Sequence, residues 1–263
     1  MHHCDFMRNV MNMAFLLLFL LLSCSEKQQQ CAYSYSLVAH AGGAIDGCLY
    51  TNSLEAVKKA ADAGYRYIEL DLLMTADSFV VAGHSWSDYN SMTGFLQRGD
   101  TAPALHDFMS RRIYGKYTPL TAEMINTFFE ENSEIFFVTD KISDADVLER
   151  FFPNLKSRMV VEAFSYDDYC ELKRRGFHRV LYSCMADDIN STVLQRMLMY
   201  DVFGGEEIEW IALHTDAFDN VVFRLVHALC DYRLALFTVN DTSAVPEEFM
   251  CKVELLYTDS IAP

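Results

Sequence analysis

Two acids set two residues apart in an apolar run are the first residues able to do chemistry. Tyr67-Ile68-Glu69-Leu70-Asp71-Leu72 has the alternation of a strand, which puts Glu69 and Asp71 on one face and Ile68, Leu70 and Leu72 on the other. With the apolar face against a helix layer, the acids point inward, where unpaired charge is costly. Such a pair needs either a Lys or Arg from another strand or a cation. An all-oxygen set suits one divalent ion, Mg²⁺ or Ca²⁺. Two histidines end strand-like runs: His40 closes Leu37–Ala39 and precedes Ala41-Gly42-Gly43, and His84 follows Phe79–Ala82 and Gly83. Imidazoles titrate near neutral pH and suit proton transfer, although a strand-end His is also a common structural residue. A further run, Phe136-Phe137-Val138-Thr139-Asp140-Lys141, ends in an acid able to complete an oxygen shell and an ammonium able to hold a phosphate oxygen. A simple loop ion pair is the other reading of those two.

These residues need elements to position them. The segment Leu73 to Ser78 is too short for a crossover between parallel strands, so a hairpin turning at Ala76-Asp77 is expected. That register sets Glu69 opposite His84, and a slip of one residue would turn His84 away. Further strand-like runs are Ile135–Val138, Met159–Ala163, Val180–Tyr182, Trp210–Leu213 and Leu234–Val239. Amphipathic segments lie between most of them: Ser53–Ala63, Ala122–Glu131, Ser165–Arg175, Thr192–Tyr200 and Phe218–Asp231. Alternating strand and helix predicts an α/β fold with a parallel sheet. Eight strand candidates without a Gly-rich phosphate loop favour a (β/α)8 barrel of the TIM type over an open dinucleotide-binding sheet. Barrels build their sites from loops after strand ends, and Trp86–Tyr117 is one long irregular loop of that kind. Its Trp86, Tyr89 and Phe95 form either a lid and acyl wall or a small core of their own, and His106 is expected in solvent. His214 either lines the mouth or plays a capping or packing role. Asn52 either reaches a ligand or caps the helix at Ser53–Ala63. Phe237 is expected to pack beneath a bound substrate.

Composition limits the partners. The chain has 263 residues, with 37 Asp and Glu against 21 Lys and Arg, a formal net charge of -16. Such a surface repels nucleic acid and anionic membranes, so no nucleic-acid partner is expected. An anionic small-molecule substrate remains compatible if a cation inverts the local field. Hydrophobic residues make up 51%, enough for a real core and too many for disorder. The apolar run Ala14 to Leu22 is too short to span a bilayer and fits a secretory signal. Leu21-Leu22-Ser23-Cys24 resembles the lipobox of bacterial lipoproteins, in which the Cys is acylated. The expectation is a signal peptide at 1–23, lipidation at Cys24, a tether at 24–35 and a barrel at 36–263, anchored by lipid to the membrane of a bacterial cell envelope. An uncleaved anchor and a simple cleaved signal are the alternatives. No C-x-x-C pair occurs, so a zinc or redox site has no support, and Cys170 and Cys230 are expected as free thiols among apolar neighbours.

Taken in order, these motifs resemble the glycerophosphodiester phosphodiesterase family, whose barrel is of the phospholipase C-like phosphodiesterase type. That family runs His-Arg-Gly at a strand end, Glu-Asn-Thr before a helix, Glu-Leu-Asp on a strand, and a strand ending in His-Asp. Here stand His40-Ala41-Gly42-Gly43, Thr51-Asn52-Ser53, Glu69-Leu70-Asp71 and His84-Ser85. Ser91-Met92-Thr93-Gly94, Phe237-Thr238-Val239-Asn240-Asp241 and Tyr257-Thr258-Asp259 are similar to later family segments. The resemblance spans Leu37 to Pro263. It implies a phosphodiesterase acting on glycerophosphodiesters or related phospholipid headgroups, with His40 and His84 as the acid–base pair. It implies one divalent cation on Glu69 and Asp71, and the strand-end reading adds Asp140 to that shell. Lys141, Asn52, His214 and Phe237 are then the expected substrate contacts.

The departures from the pattern are as specific as the matches. The Arg after the first His is Ala41, which removes a bidentate phosphate clamp. The acid before Asn-Thr is Thr51, the Asp after the second His is Ser85, and Glu-x-Lys stands as Val138-Thr139-Asp140-Lys141. Lys141 is the expected substitute for part of the missing charge at Ala41. A lysophospholipase D or sphingomyelinase D-like activity on a lysolipid, and a catalytically silent binding barrel, are the alternative functions.

Overall fold

The strand period fixes which side chains meet in the middle of the molecule. A computed structural model describes residues 34–184 and 207–263. Its strands are β1 (Ser36–Ala39), β2 (Tyr67–Met74), β3 (Val80–Ala82), β4 (Phe136–Asp140), β5 (Met159–Ala163), β6 (Arg179–Cys184), β7 (Trp210–His214), β8 (Arg233–Phe237) and β9 (Val253–Thr258). All except β3 pair in parallel in the order β1–β9–β8–β7–β6–β5–β4–β2, and β1 also pairs with β2, which closes the ring. The eight-stranded (β/α)8 barrel expected from the sequence is therefore present.

Its eight strands are not the eight read from the sequence. The Phe79–Ala82 run forms β3, an antiparallel spur that pairs with β2 at Leu72↔Ala82, Leu73↔Val81 and Met74↔Val80. Those residues of β2 lie beyond its pairing with β4, which ends at Asp71↔Asp140. The ring is closed instead by β9, whose run Val253-Glu254-Leu255-Leu256-Tyr257-Thr258 was not among the expected strands.

The helices are α1 (Leu54–Asp62), α2 (Trp86–Met92), α3 (Leu105–Met109), α4 (Ala122–Glu131), α5 (Ala145–Phe151), α6 (Tyr166–Arg174), α7 (Val221–Leu229) and α8 (Glu247–Met250). Ser53, Thr121, Asp144 and Ser165 cap α1, α4, α5 and α6 by accepting from a backbone N–H three residues on. On β2, Ile68, Leu70 and Leu72 join the core between strands and helices. Inside the barrel, Val38, Val138, Val160, Leu181, Trp210, Ala212, Ala235 and Leu255 pack together. Closer to the C-terminal strand ends, inward positions turn polar at Asp71, Asp140 and Glu162.

After β1 the chain must turn at once. Gly42 sits at φ +81, and a Cβ there would meet Val57 Cγ1 at 3.2 Å, so glycine is required. The Trp86–Tyr117 segment folds over a core of its own, in which Ile45, Ala56, Val81, Tyr89, Phe108, Ile113 and Tyr117 are buried. Tyr89 belongs to that core rather than to an acyl wall, Trp86 packs against it, and His106 is exposed. Cys170 and Cys230 are half-buried free thiols. The predicted helix Thr192–Tyr200, the signal at 1–23, Cys24 and the tether as far as residue 33 lie outside the described residues. Among the described residues, no helix is long and apolar enough to cross a membrane.

Candidate active site

The C-terminal ends of the barrel strands surround a cavity of about 420 Å³. On its β2 and β4 side, Glu69, Asp71 and Asp140 each offer an oxygen within 4.8 Å of the others. Alternation on β2 and direct pairing of Asp71 with Asp140 bring them together. Glu69 accepts from the Ala41 N–H at 2.6 Å through Oε2, while its buried Oε1 has no hydrogen-bond partner. Burial, then the charges of Asp71 and Asp140, push the Glu69 carboxyl well above its usual range. Asp71 is raised for the same reasons, although Asn52 opposes the shift.

Lys141 is the nearest cation. Its Nζ lies 3.2 Å from Asp140 and 3.7 Å from Asp71, and no ion pair reaches Glu69 among the described residues. The loop ion pair and the shared acid cluster are thus both present. Adjacent strand residues point to opposite faces, so a Lys directly after Asp140 should leave the cavity. A left-handed backbone at Lys141, φ 70, turns its side chain back to the mouth. Burial works against the Lys141 charge, but Asp140 and Asp71 outweigh it and hold the ammonium above its usual range.

The two histidines stand at the same rim. Tyr50 lies between them, its ring centroid 4.9 Å from that of His40 and 5.0 Å from that of His84. Each imidazole meets an acid through Nδ1: His40 with Asp259 at 2.9 Å and His84 with Asp88 at 2.7 Å. Burial raises the Asp259 carboxyl, but hydrogen bonds from His40 and Asn240 prevail and hold it below the usual range. His84, then Ser85, hold Asp88 below its range as well. A carboxylate kept ionised can only accept, so Nδ1 of each ring donates and Nε2 is left for proton transfer in the cavity.

The β2–β3 register differs by one residue from the expected one. Gly83 donates to the Asp71 carbonyl at 2.9 Å, which places His84 past the end of the ladder rather than opposite Glu69. Free of the strand alternation, His84 reaches the rim because Ser85 begins α2, and Asp88 in its first turn holds the ring. The acid that the sequence lacks at Ser85 is therefore supplied one helical turn later. Replacing Asp88 by Asn should lower kcat by about tenfold while far-UV circular dichroism stays unchanged. An unchanged kcat would remove the orienting role.

The other expected contacts divide. Phe237 and His214 line the cavity, and His214 also accepts from the Asp216 N–H at 3.2 Å. Asn52 is fully buried and gives both ends of its amide to Asp71, with Nδ2 at 2.9 Å from Oδ2 and Oδ1 at 3.1 Å from the backbone N–H. It steadies an acid and is not among the residues that line the cavity, and Ser53, not Asn52, caps α1. Thr51 is buried against Ser53, so no acid enters from that loop.

Sequence reading passed over Tyr50, Asp88 and Glu162, and met Asp259 only as the end of a motif, without a role. Glu162 is a single acid inside the apolar strand Met159–Ala163, and that contrast was its available signal. It accepts from the Tyr257 hydroxyl at 2.9 Å. Burial, with the charge of Asp140 added, pushes its carboxyl up to about 8. The folded state then keeps a proton that the unfolded chain releases above its ordinary value of 4.5. The associated stability is complete below that value and is lost as pH rises toward about 8. In EDTA, Glu162→Gln should therefore gain on the parent protein between pH 5 and pH 8, by on the order of a few kcal/mol in urea unfolding. A gap that does not widen with pH would contradict this.

The profile of the Glycerophosphoryl diester phosphodiesterase family matches residues 40–207, beginning at the first histidine of the site. The chain belongs to this family. It is thereby placed among the phosphoric diester hydrolases. A glycerophosphodiester phosphodiesterase from Thermotoga maritima is similar in structure, with a TM-score of 0.62 at 18% identity over 87% of this chain and 96% of that one. An Oleispira antarctica phosphodiesterase, solved with the product sn-glycerol-3-phosphate, gives 0.62 at 17% identity over 85% and 92%. A glycerophosphodiester phosphodiesterase from Parabacteroides distasonis gives 0.58 at 16% identity over 86% and 92%. At these identities the likeness establishes the barrel. A search of curated protein sequences found no match.

Proposed function

We propose that the chain hydrolyses glycerophosphodiesters or the related phosphodiesters of phospholipid headgroups. In this reading His40 and His84 are the proton-transfer pair, and Glu69, Asp71 and Asp140 hold one divalent cation. The observation that carries it is the pairing of a buried three-carboxylate cluster, one oxygen of which has no partner, with two acid-held imidazoles at the same rim. The donor set is all oxygen, which fits Mg²⁺ or Ca²⁺. A bound cation would neutralise charge on the phosphate and its transition state.

The chain's own residues supply the remainder. One imidazole takes the proton from the attacking hydroxyl, of water or of the substrate's own glycerol, through Nε2. The other gives a proton to the departing alkoxide, so an alcohol and a phosphate ester leave the site. Asp259 and Asp88 keep the rings in the donating Nδ1 tautomer. Lys141, at the mouth, offers part of the positive charge that Ala41 lacks. Acylation of Cys24 would hold the barrel at a bacterial envelope membrane, within reach of phospholipid breakdown products.

The test uses the purified chain with glycerophosphocholine, bis(p-nitrophenyl) phosphate and a lysolipid, with and without Mg²⁺, Ca²⁺ and EDTA. Turnover lost in EDTA and restored by one of the ions is expected. Turnover indifferent to EDTA removes the cation, and ligand binding without turnover makes this a binding barrel. Preference for the lysolipid would move the substrate to intact lysophospholipid.

A further inference from the structure

A phosphodiester held between two imidazoles needs more than proton transfer. Its non-bridging oxygens carry charge, and that charge calls for hydrogen-bond donors already in place. The cavity has few to spare. Lys141 is shared by Asp140 and Asp71. Ser183 and Tyr257 give their hydroxyls to Glu162. Thr238 sits 3.3 Å from Nδ1 of His40, on the side of that ring away from proton transfer. His214 is tied to Asp216 at 3.0 Å and lies against Phe237. Tyr50 lines the same cavity, and its hydroxyl has no hydrogen-bond partner among the described residues.

The place of Tyr50 is built into the fold. Its ring meets His40 edge-on, with 4.9 Å between centroids at 81°, and His84 at a tilt, with 5.0 Å at 56°. The backbone there is left-handed, φ 56, which a bulky side chain adopts only where its surroundings impose it. Those surroundings are hydrogen bonds on both sides. Ile45 and Cys48 exchange backbone bonds before it. After it, the Asn52 N–H donates to the Ala41 carbonyl at 3.1 Å, and the Asn52 amide holds Asp71. The loop is thus fastened beside His40 at one point and to the acid cluster at another. Burial, then the charges of Asp259, Asp71 and Glu69, hold the phenol above its ordinary range, so it keeps its proton and can donate.

We propose that the Tyr50 hydroxyl donates a hydrogen bond to a non-bridging phosphoryl oxygen of the substrate, holding the phosphate between His40 and His84 as charge grows on it. The inference rests on the phosphodiesterase reading and adds a substrate-contacting residue to the same site.

Tyr50→Phe keeps the ring and removes the hydroxyl. With Mg²⁺ or Ca²⁺ saturating, it should lower kcat/KM by about 10²-fold on both glycerophosphocholine and bis(p-nitrophenyl) phosphate, because the phosphate is what the two share. The cation concentration for half-maximal rate and the midpoint of thermal unfolding should stay at the parent values. Rates equal to those of the parent overturn the proposal and leave the ring as a spacer between the imidazoles. An unchanged kcat/KM at saturating cation with a raised cation requirement also overturns it, since the hydroxyl would then serve the ion. Calorimetry with sn-glycerol 3-phosphate and the same ion separates this inference from the reading beneath it. If the parent turns over neither ester yet binds this monoester about tenfold more tightly than Tyr50→Phe does, the donor stands without the hydrolase. Equal binding by the two proteins, or none by the parent, sinks it.

Discussion

Replacing His40 by alanine is expected to lower kcat by about 10²–10⁴-fold, the usual range for one general acid or base. The reason is geometric. His40 follows β1 directly, its Nδ1 is taken by Asp259 at 2.9 Å, and Tyr50 stands between it and His84. The two rings are thus held apart, each by its own acid, and His84 is not placed to take over the position of His40. Initial rates on bis(p-nitrophenyl) phosphate and glycerophosphocholine read the loss, with circular dichroism as the control for folding. Asp259→Asn should give a smaller loss and a shifted pH–rate profile, because it disturbs the tautomer and not the base itself. A His40→Ala protein within twofold of the parent would remove the acid–base pair from the mechanism.

Glu69→Gln should move stability and activity in opposite directions. The carboxyl is buried, raised well above its usual range, and has one oxygen without a partner. Its charge opposes those of Asp71 and Asp140 in the same space. In EDTA at pH 8 the amide relieves that repulsion and should stabilise the fold by on the order of 1 kcal/mol or more, since each pH unit by which a carboxyl is raised corresponds to about 1.4 kcal/mol. The same change removes a cation ligand, and the Mg²⁺ or Ca²⁺ concentration for half-maximal rate should rise by about 100-fold. In the parent, the thermal gain on adding the ion should grow from pH 5.5 to pH 8. The raised carboxyl holds a proton that the ion must displace at the lower pH. Urea and thermal unfolding with and without EDTA test both halves. A variant less stable than the parent in EDTA would show that Glu69 serves packing instead of an ion.

Much of this site was legible because strand alternation is a strict geometric rule. It placed Glu69 and Asp71 inward and Ile68, Leu70 and Leu72 outward, as the structure has them. It does not govern what lies beyond the ladders. His84 sits past the last pair of β3, where the period no longer applies. Lys141 faces the cavity through one left-handed residue that no pattern announces. Asp88 needed the start of α2, and Glu162 needed Tyr257, which is 95 positions away in the chain and meets it inside the barrel. β9 escaped notice because β3 had already filled the count of eight, and a hairpin spur cannot be told from a ring strand by its side chains.

The two imidazoles hang from different bodies. His40 follows a strand of the ring, whereas His84 is carried on the spur that rests on the small core around Tyr89 and Phe108. Warming should loosen that lesser body first, parting the pair while the barrel itself is still intact. Inactivation would then come at a lower temperature than the loss of far-ultraviolet ellipticity, and side chains such as Phe108 would govern the heat tolerance of catalysis from well outside the cavity.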